Sequence, residues 1–342
     1  MTPIDPNQQL DFLSNIQRLL AEGQFTATYK YALLLAIADI CVEDGDESDS
    51  AFDISTHKIA EKFIAYYWPQ VRPYQGGLLR QNTGKPPKVI RTLEQIAVRG
   101  TALTDLKRDA NSWKTLVRDV DGVVRDMPLR RLQTVGDHPL EFLYENYRRG
   151  SSIQLKPGVM FCFRRFHELI TDLIRGAWVR YVRRFNQQIL GTPTDLDEFL
   201  FGTQRVSLEK YLPILREVQK ARCLYCGLEV QVGAAHIDHF IPWARYPVDL
   251  GHNFVLGHGR CNSAKAEHLA ALDHLNRWME RNRLEGQQLR ERFDSQFITH
   301  NAETSRRIAR WAYAIAFETK AMAWRLHTEF EPIGESYLDI FK

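Results

Sequence analysis

The sequence predicts a mainly α, multidomain fold: helical N-terminal and middle regions, a small Cys- and His-rich segment near the C-terminus, and trailing helices that pack. Three observations carry this. The 342 residues exceed one ordinary domain. Apolar residues recur at three- to four-residue spacing along most of the chain. Three of the five cysteines, Cys223, Cys226 and Cys261, fall close together, while Cys41 and Cys162 stand apart.

Residues 8–22 and 25–43 read as two helices, with Leu10, Leu13, Ile16, Leu19 and Leu20 on one side of the first. The acidic run EDGDESDS follows. Ser55-Thr56 is a good N-cap pair for a third helix carrying Ile59, Phe63, Tyr66, Tyr67 and Trp68. Pro69 to Pro87, with Gly76, Gly77 and Gly84, is loop-like, and order resumes at Val89 to Ile96. This bounds a helical domain over 1–105, either a helix-turn-helix DNA reader or regulatory unit, or a plain scaffold.

A middle region over 106–215 begins with short strand-like pieces and turns (DGVVRD, VGDHP, LKPG) across 110–160, then a long basic amphipathic helix over 163–188. Between Asn146 and Asn186 stand nine basic residues, Arg148, Arg149, Lys156, Arg164, Arg165, Arg175, Arg180, Arg183 and Arg184, against Glu168 and Asp172. On a helical wheel Arg164, Arg165, Arg175, Arg180 and Arg183 share one arc, opposite Phe166, Ile170, Leu173, Ala177, Tyr181 and Phe185. A groove that tracks phosphates needs such a stripe, although a solvated face of snorkelling arginines looks the same. The Cys/His segment lies in a domain over 216–282, and C-terminal helices fill 283–342, the helical patterns running over 262–294 and 302–328.

Composition narrows the function classes. The net charge of +3 is too small to argue for a polyanionic partner, so that argument rests on local distribution. No window approaches the roughly 18 apolar residues of a membrane span. The start, MTPIDPNQQLDFL, has no basic region followed by an apolar run, so the cytoplasm is the expected compartment. Cys41 and Cys162, in apolar runs, read as small buried hydrophobes.

The chemistry concentrates in residues 223–269. Cys223-x-x-Cys226 and His258-x-x-Cys261 are two ligand pairs whose spacing lets a tight turn aim both side chains at one ion. Three thiolates and one imidazole close a tetrahedral Zn²⁺ site, which leaves no position for water and makes the zinc structural. His252 and His268 are the alternatives to His258. Between and just after the pairs stand Asp238-His239 in HIDHFIP, Asn253 in HNFVL, and Asn262 directly after Cys261, with Lys265 three residues on.

This order resembles the HNH endonuclease family, whose pattern runs CxxC, then DH with an apolar pair and Pro, an Asn before an apolar strand, and a final CN-x-x-K opening a helix. The resemblance covers roughly residues 220–270. It implies a ββα-metal fold, a phosphodiester hydrolase and a DNA substrate, most simply double-stranded. His239 would be the general base, because imidazole can take a proton from water near neutral pH. Asp238 and Asn262 would hold one catalytic ion, and their hard oxygen donors favour Mg²⁺ or Mn²⁺. Asn253 would hold the intervening loop, and Lys265, near a helix N-terminus, could touch the DNA backbone. The products would carry 5′-phosphate and 3′-hydroxyl ends, and a monomer with one site would nick.

Neighbouring residues have two readings each. His236 shares a strand face with Asp238 and is a metal ligand or a satisfied strand histidine. Trp243 and Arg245 sit in the loop after the Asp-His pair, where phosphate contact and ordinary packing are equally simple. Rivals to the whole reading are a non-catalytic zinc ribbon that binds nucleic acid and an RNase or structure-selective nuclease. The layout is similar to bacterial defence-system HNH nucleases, including those accompanying Zorya-type operons, which implies operon partner proteins by analogy.

Overall fold

The computed structural model describes residues 4–23, 27–74, 77–82, 84–136, 138–145, 147, 149–187, 193–202 and 208–342. Gly76, Asn146, Arg148 and Gln188, named or spanned above, lie outside them. The chain is mainly helical and forms two compact units, Met1–Gly202 and Thr203–Lys342. The segments drawn at 1–105 and 106–215 thus lie, up to Gly202, in one unit. Among the described residues no helix is long and apolar enough to cross a membrane.

In the first unit the helices are α1 (Pro6–Glu22), α2 (Tyr29–Asp44), α3 (Thr56–Tyr67), α4 (Lys88–Ala97), α5 (Leu103–Arg108), α6 (Ala110–Asp126), α7 (Pro128–Arg131), α8 (Val159–Arg165), α9 (His167–Phe185) and α10 (Pro193–Phe201). Two small antiparallel sheets join them: β1 (Phe52–Ser55) pairs with β4 (Ser152–Leu155), and β2 (Thr134–Val135) with β3 (His138–Pro139). The sequence YALLLAIADICV makes α2 apolar on every side, so it belongs in the middle of the core rather than at its edge. From Lys30 to Glu43 only Asp39 escapes full burial. Cys41 and Cys162 are buried, as small hydrophobes would be.

Two local expectations are corrected here. DGVVRD is not strand-like: it ends α6, whose Leu116, Val117, Val120, Val123 and Val124 repeat at helical spacing and are buried. The valines suggested a strand by propensity, but the spacing wins because one stripe can then pack. The long basic helix is two helices, broken at Phe166 (φ −110°, ψ 23°). On α9 the buried stripe runs through Ile170, Thr171, Ile174, Ala177, Trp178, Tyr181 and Val182. Leu169 and Leu173 therefore face water, beside Glu168, Asp172 and Arg180, so the solvent arc is mixed rather than a basic stripe.

The second unit contains α11 (Tyr211–Val218), β5 (Ala235–His239), β6 (Phe254–His258), α12 (Gly259–Lys265), α13 (Leu272–Leu284), α14 (Gly286–Ser295), α15 (Ala302–Glu318), β7 (Met322–Leu326), β8 (Glu329–Pro332) and α16 (Glu335–Asp339). The expected helix over 262–294 is thus three helices. That over 302–328 ends at Glu318, where Lys320 turns into positive φ (54°) and the chain continues as a hairpin. β5 and β6 pair antiparallel with Asp238 opposite Val255 and His239 opposite Phe254, and α12 follows β6 without a linker.

Candidate metal centre and catalytic cluster

The turn that begins the site is Cys223–Gly227. Gly227 donates its N–H to Cys223 O at φ +72°, a conformation glycine takes at no steric cost. The turn is fastened to β6 by Leu224 N–H on Leu256 O (3.0 Å). Gln219 bonds the same strand residue twice, accepting from Leu256 N–H at 2.8 Å and donating to its carbonyl at 3.1 Å. His258 ends β6, and α12 starts at once, so Cys261 comes round to face the turn.

The Sγ atoms of Cys223, Cys226 and Cys261 and a ring nitrogen of His258 lie within 4.8 Å of one another. Ligand atoms on one tetrahedral zinc stand roughly 3.5–3.8 Å apart, so the four residues could hold such an ion with small adjustments. His258 Nδ1 is 3.3 Å from Cys226 Sγ, and its Nε2 is 3.0 Å from Glu229 O. The carbonyl accepts a hydrogen bond from Nε2–H and leaves Nδ1 as the ligand nitrogen, an outer bond typical of metal-bound histidine. Burial first, and then the crowding of Cys223 and Cys226, push the Cys261 thiol up to about 12. Three thiolates cannot share this space without a cation, so the donor chemistry fits one.

The two alternatives to His258 are elsewhere. His252 is buried against Phe293 and His300, each ring pair 5.4 Å apart. His268 is exposed and packs on Phe330. His236 is exposed on β5 beside Gly259, outside the cluster.

The second group of residues lies where α12 meets β5. Lys265, fully buried, reaches back to Asp238 Oδ2 (3.0 Å) and to His239 O (3.0 Å). Tyr225, from the middle of the Cys turn, donates its hydroxyl to the same Oδ2. Burial, and then the Asp238 charge, drive the Tyr225 phenol well above its ordinary value, so it remains a donor. Burial also draws Lys265 down, with Asp238 opposing. Among the described residues no hydrogen bond reaches Asp238 Oδ1 or the Asn262 side-chain amide, which leaves both as free hard acceptors.

His239 is held differently. Its Nε2 is 2.8 Å from Asp249 Oδ1, and its ring packs on Phe254 and Trp243 (centroids 4.4 and 5.4 Å). With Nε2 donating to Asp249, the neutral ring carries its lone pair on Nδ1. Asn253 spans the loop between them: its amide donates to Ile241 O (3.0 Å) and accepts from Ile241 N–H (2.8 Å). Buried Arg281, on α13, ties the start of β6 by donating to His252 O (2.8 Å) and Phe254 O (2.7 Å).

Several expected contacts change. Lys265 does not face solvent and is not placed to touch a DNA backbone; the carboxylate and carbonyl it bonds inside outweigh water as partners. Arg164 does not belong to an exposed basic arc either. It is 2% exposed because its guanidinium donates to the carbonyls of Cys41 (2.9 Å), Val42 (3.1 Å) and Gly45 (3.2 Å) at the end of α2, and pairs with Glu47. Cys41 O also accepts the capping Gly45 N–H (3.1 Å), and the negative end of the helix dipole favours a cation there. Arg165, Arg175 and Arg183 are half-buried, Arg175 lying over the Phe201 ring, and Arg180 is exposed. Arg245 is half-buried in the loop after β5, and Trp243 takes the packing option against His239.

Sequence reasoning missed Asp249, Tyr225 and Arg281. Asp249 had a usable signal, being the one acid between His239 and Ala266. Tyr225 and Arg281 had none, since each is defined by a partner far away in sequence.

No curated protein and no solved structure matches the chain. One family model does, over residues 8–196, which is more than half of the chain and lies within the first unit. By that match the chain belongs to the family described as "Domain of unknown function (DUF8808)".

Proposed function

We propose that the second unit is a metal-dependent DNA endonuclease of the HNH kind, with a structural zinc beside its catalytic cluster. The observation that carries the reading is one arrangement: a histidine oriented by a carboxylate at the end of β5, with the partnerless acceptors Asp238 Oδ1, from the preceding residue of the same strand, and Asn262 amide oxygen, from α12. A zinc ribbon that only binds has no need of such a histidine.

In this reading His239 Nδ1 takes the proton of the attacking water. Asp249 then stabilises the imidazolium that forms, as a carboxylate behind a catalytic histidine does. Asp238 and Asn262 would hold Mg²⁺ or Mn²⁺, which supplies charge stabilisation to the phosphate and the leaving oxygen. Lys265 and Tyr225 hold Asp238 Oδ2 inward and so present Oδ1 outward. Asn253 keeps the loop after His239 in place, and Cys223, Cys226, His258 and Cys261 would hold the zinc. Because Cys261 is covalently next to Asn262, the zinc cluster sets where that amide stands.

The test is nicking of supercoiled plasmid with Mg²⁺ or Mn²⁺ by the full chain and by His239→Ala. Loss of nicking in the variant, with zinc content kept, supports the reading; equal activity removes it. Single strands and RNA under the same conditions separate a DNase from an RNase.

A further inference from the structure

One concavity of the second unit takes no part in the cluster above. It encloses about 890 Å³ between α13, α14 and the start of α15, within the size range of small-molecule sites. Its lining differs from that of an ordinary surface cleft. Arg283 and Arg290, from α13 and α14, are exposed and, among the described residues, form no ion pair or hydrogen bond. Asn276 and Glu280, one helical turn apart on α13, line the same space and are likewise without partners. The remaining acid, Glu303, is already engaged by Arg307 at 2.9 Å.

The wall includes His252, 1% exposed, whose ring lies beside the Gly286 backbone. Two free guanidiniums suit phosphate oxygens, which they can meet with paired N–H groups. A bare phosphate would leave Glu280 and Asn276 unused. A carboxylate and an amide side by side call for hydroxyl or amino donors, such as those of a ribose or a base edge.

We propose that this cavity is a binding site for a nucleoside phosphate, with Arg283 and Arg290 on the phosphate and Glu280 and Asn276 on the sugar or base. It does not depend on the nuclease reading, because binding is measured without turnover. The experiment is isothermal titration of the zinc-loaded full chain with AMP, ATP, GTP, pyrophosphate and a short DNA duplex, repeated with Arg283→Ala, Arg290→Ala and Glu280→Gln. These three positions are exposed, and circular dichroism verifies that each variant is folded.

The expected result is saturable binding of at least one nucleotide. Each arginine variant should weaken it roughly tenfold or more, the size of one lost charge-assisted hydrogen bond. Glu280→Gln should weaken the nucleotide but not pyrophosphate. Pyrophosphate binding as tightly as every nucleotide overturns the assignment of Glu280 and Asn276. Binding of the duplex alone through the two arginines makes the cavity a substrate contact and overturns the proposal, as does no binding of any probe.

Discussion

Lys265 is the residue whose removal tests the site most directly. It is 0% exposed and compensates Asp238, itself 8% exposed, through a 3.0 Å ion pair while also satisfying the carbonyl of His239. Lys265→Met keeps much of the volume and deletes the charge. It leaves a buried carboxylate with the Tyr225 hydroxyl as its one donor, and a carbonyl with none from this side chain. Breaking a buried pair by removing one partner costs about 3–5 kcal/mol, a large share of the roughly 5–15 kcal/mol that holds a domain together. For a unit of this size that is a fall in melting temperature of roughly 10–20 °C. The assay is thermal and urea unfolding of zinc-loaded protein without added Mg²⁺, completed as a double-mutant cycle with Asp238→Asn. Removing both charges should recover part of the loss, with a coupling of about 2 kcal/mol. If Lys265→Met stays within about 1 kcal/mol of the wild type, or the two losses simply add, the ion pair is not what holds α12 to β5.

Three further outcomes follow from the same geometry. Asp249→Asn should lower the nicking rate by about 10²–10⁴ while leaving KM for DNA little changed, since its carboxylate acts through His239; an unaltered rate removes Asp249 from the mechanism. Cys261→Ser should lose bound zinc, stability and nicking together, and metal analysis of a folded, fully active, zinc-free Cys261→Ser would contradict the coupling of the zinc cluster to Asn262. In the first unit burial would raise Asp39. The His167 hydrogen bond, the charges of Lys62 and His167 and the Tyr66 hydroxyl outweigh it and hold Asp39 down at about 2 from 3.8. A lowered carboxylate stabilises the folded state above its unfolded value and loses that contribution as pH falls through the folded one, here about 2 kcal/mol lost between about pH 4 and pH 2. Urea titrations should show the acid limb flattened in Asp39→Asn, and parallel curves for both proteins would contradict it.

The legible parts of the candidate site share a property: each is a short-range relation. Cys223 and Cys226, His258 and Cys261, and Asn262 and Lys265 lie three residues apart, so one turn brings each pair together whatever surrounds it. The errors also share a property. Arg164 and Lys265 were assigned to the surface because an isolated charge prefers water, and that preference reverses when a helix end or a carboxylate waits inside. DGVVRD was misread because β-branched propensity is weak beside the spacing that lets α6 bury one stripe.

By itself the sequence determined the helical character of the chain, the four candidate zinc ligands up to the choice of histidine, and the order of Asp238, His239, Asn253 and Asn262, because these depend on periodicity and local spacing. Only the tertiary structure decided that His258 and not His252 completes the cluster, that Asp249 stands behind His239, that Tyr225 and Lys265 close one side of Asp238, and that Arg164 is buried under α2. Each of those is a choice of partner across ten or more residues of sequence. Such a choice depends on which groups the packing leaves without water, and no local pattern carries that information.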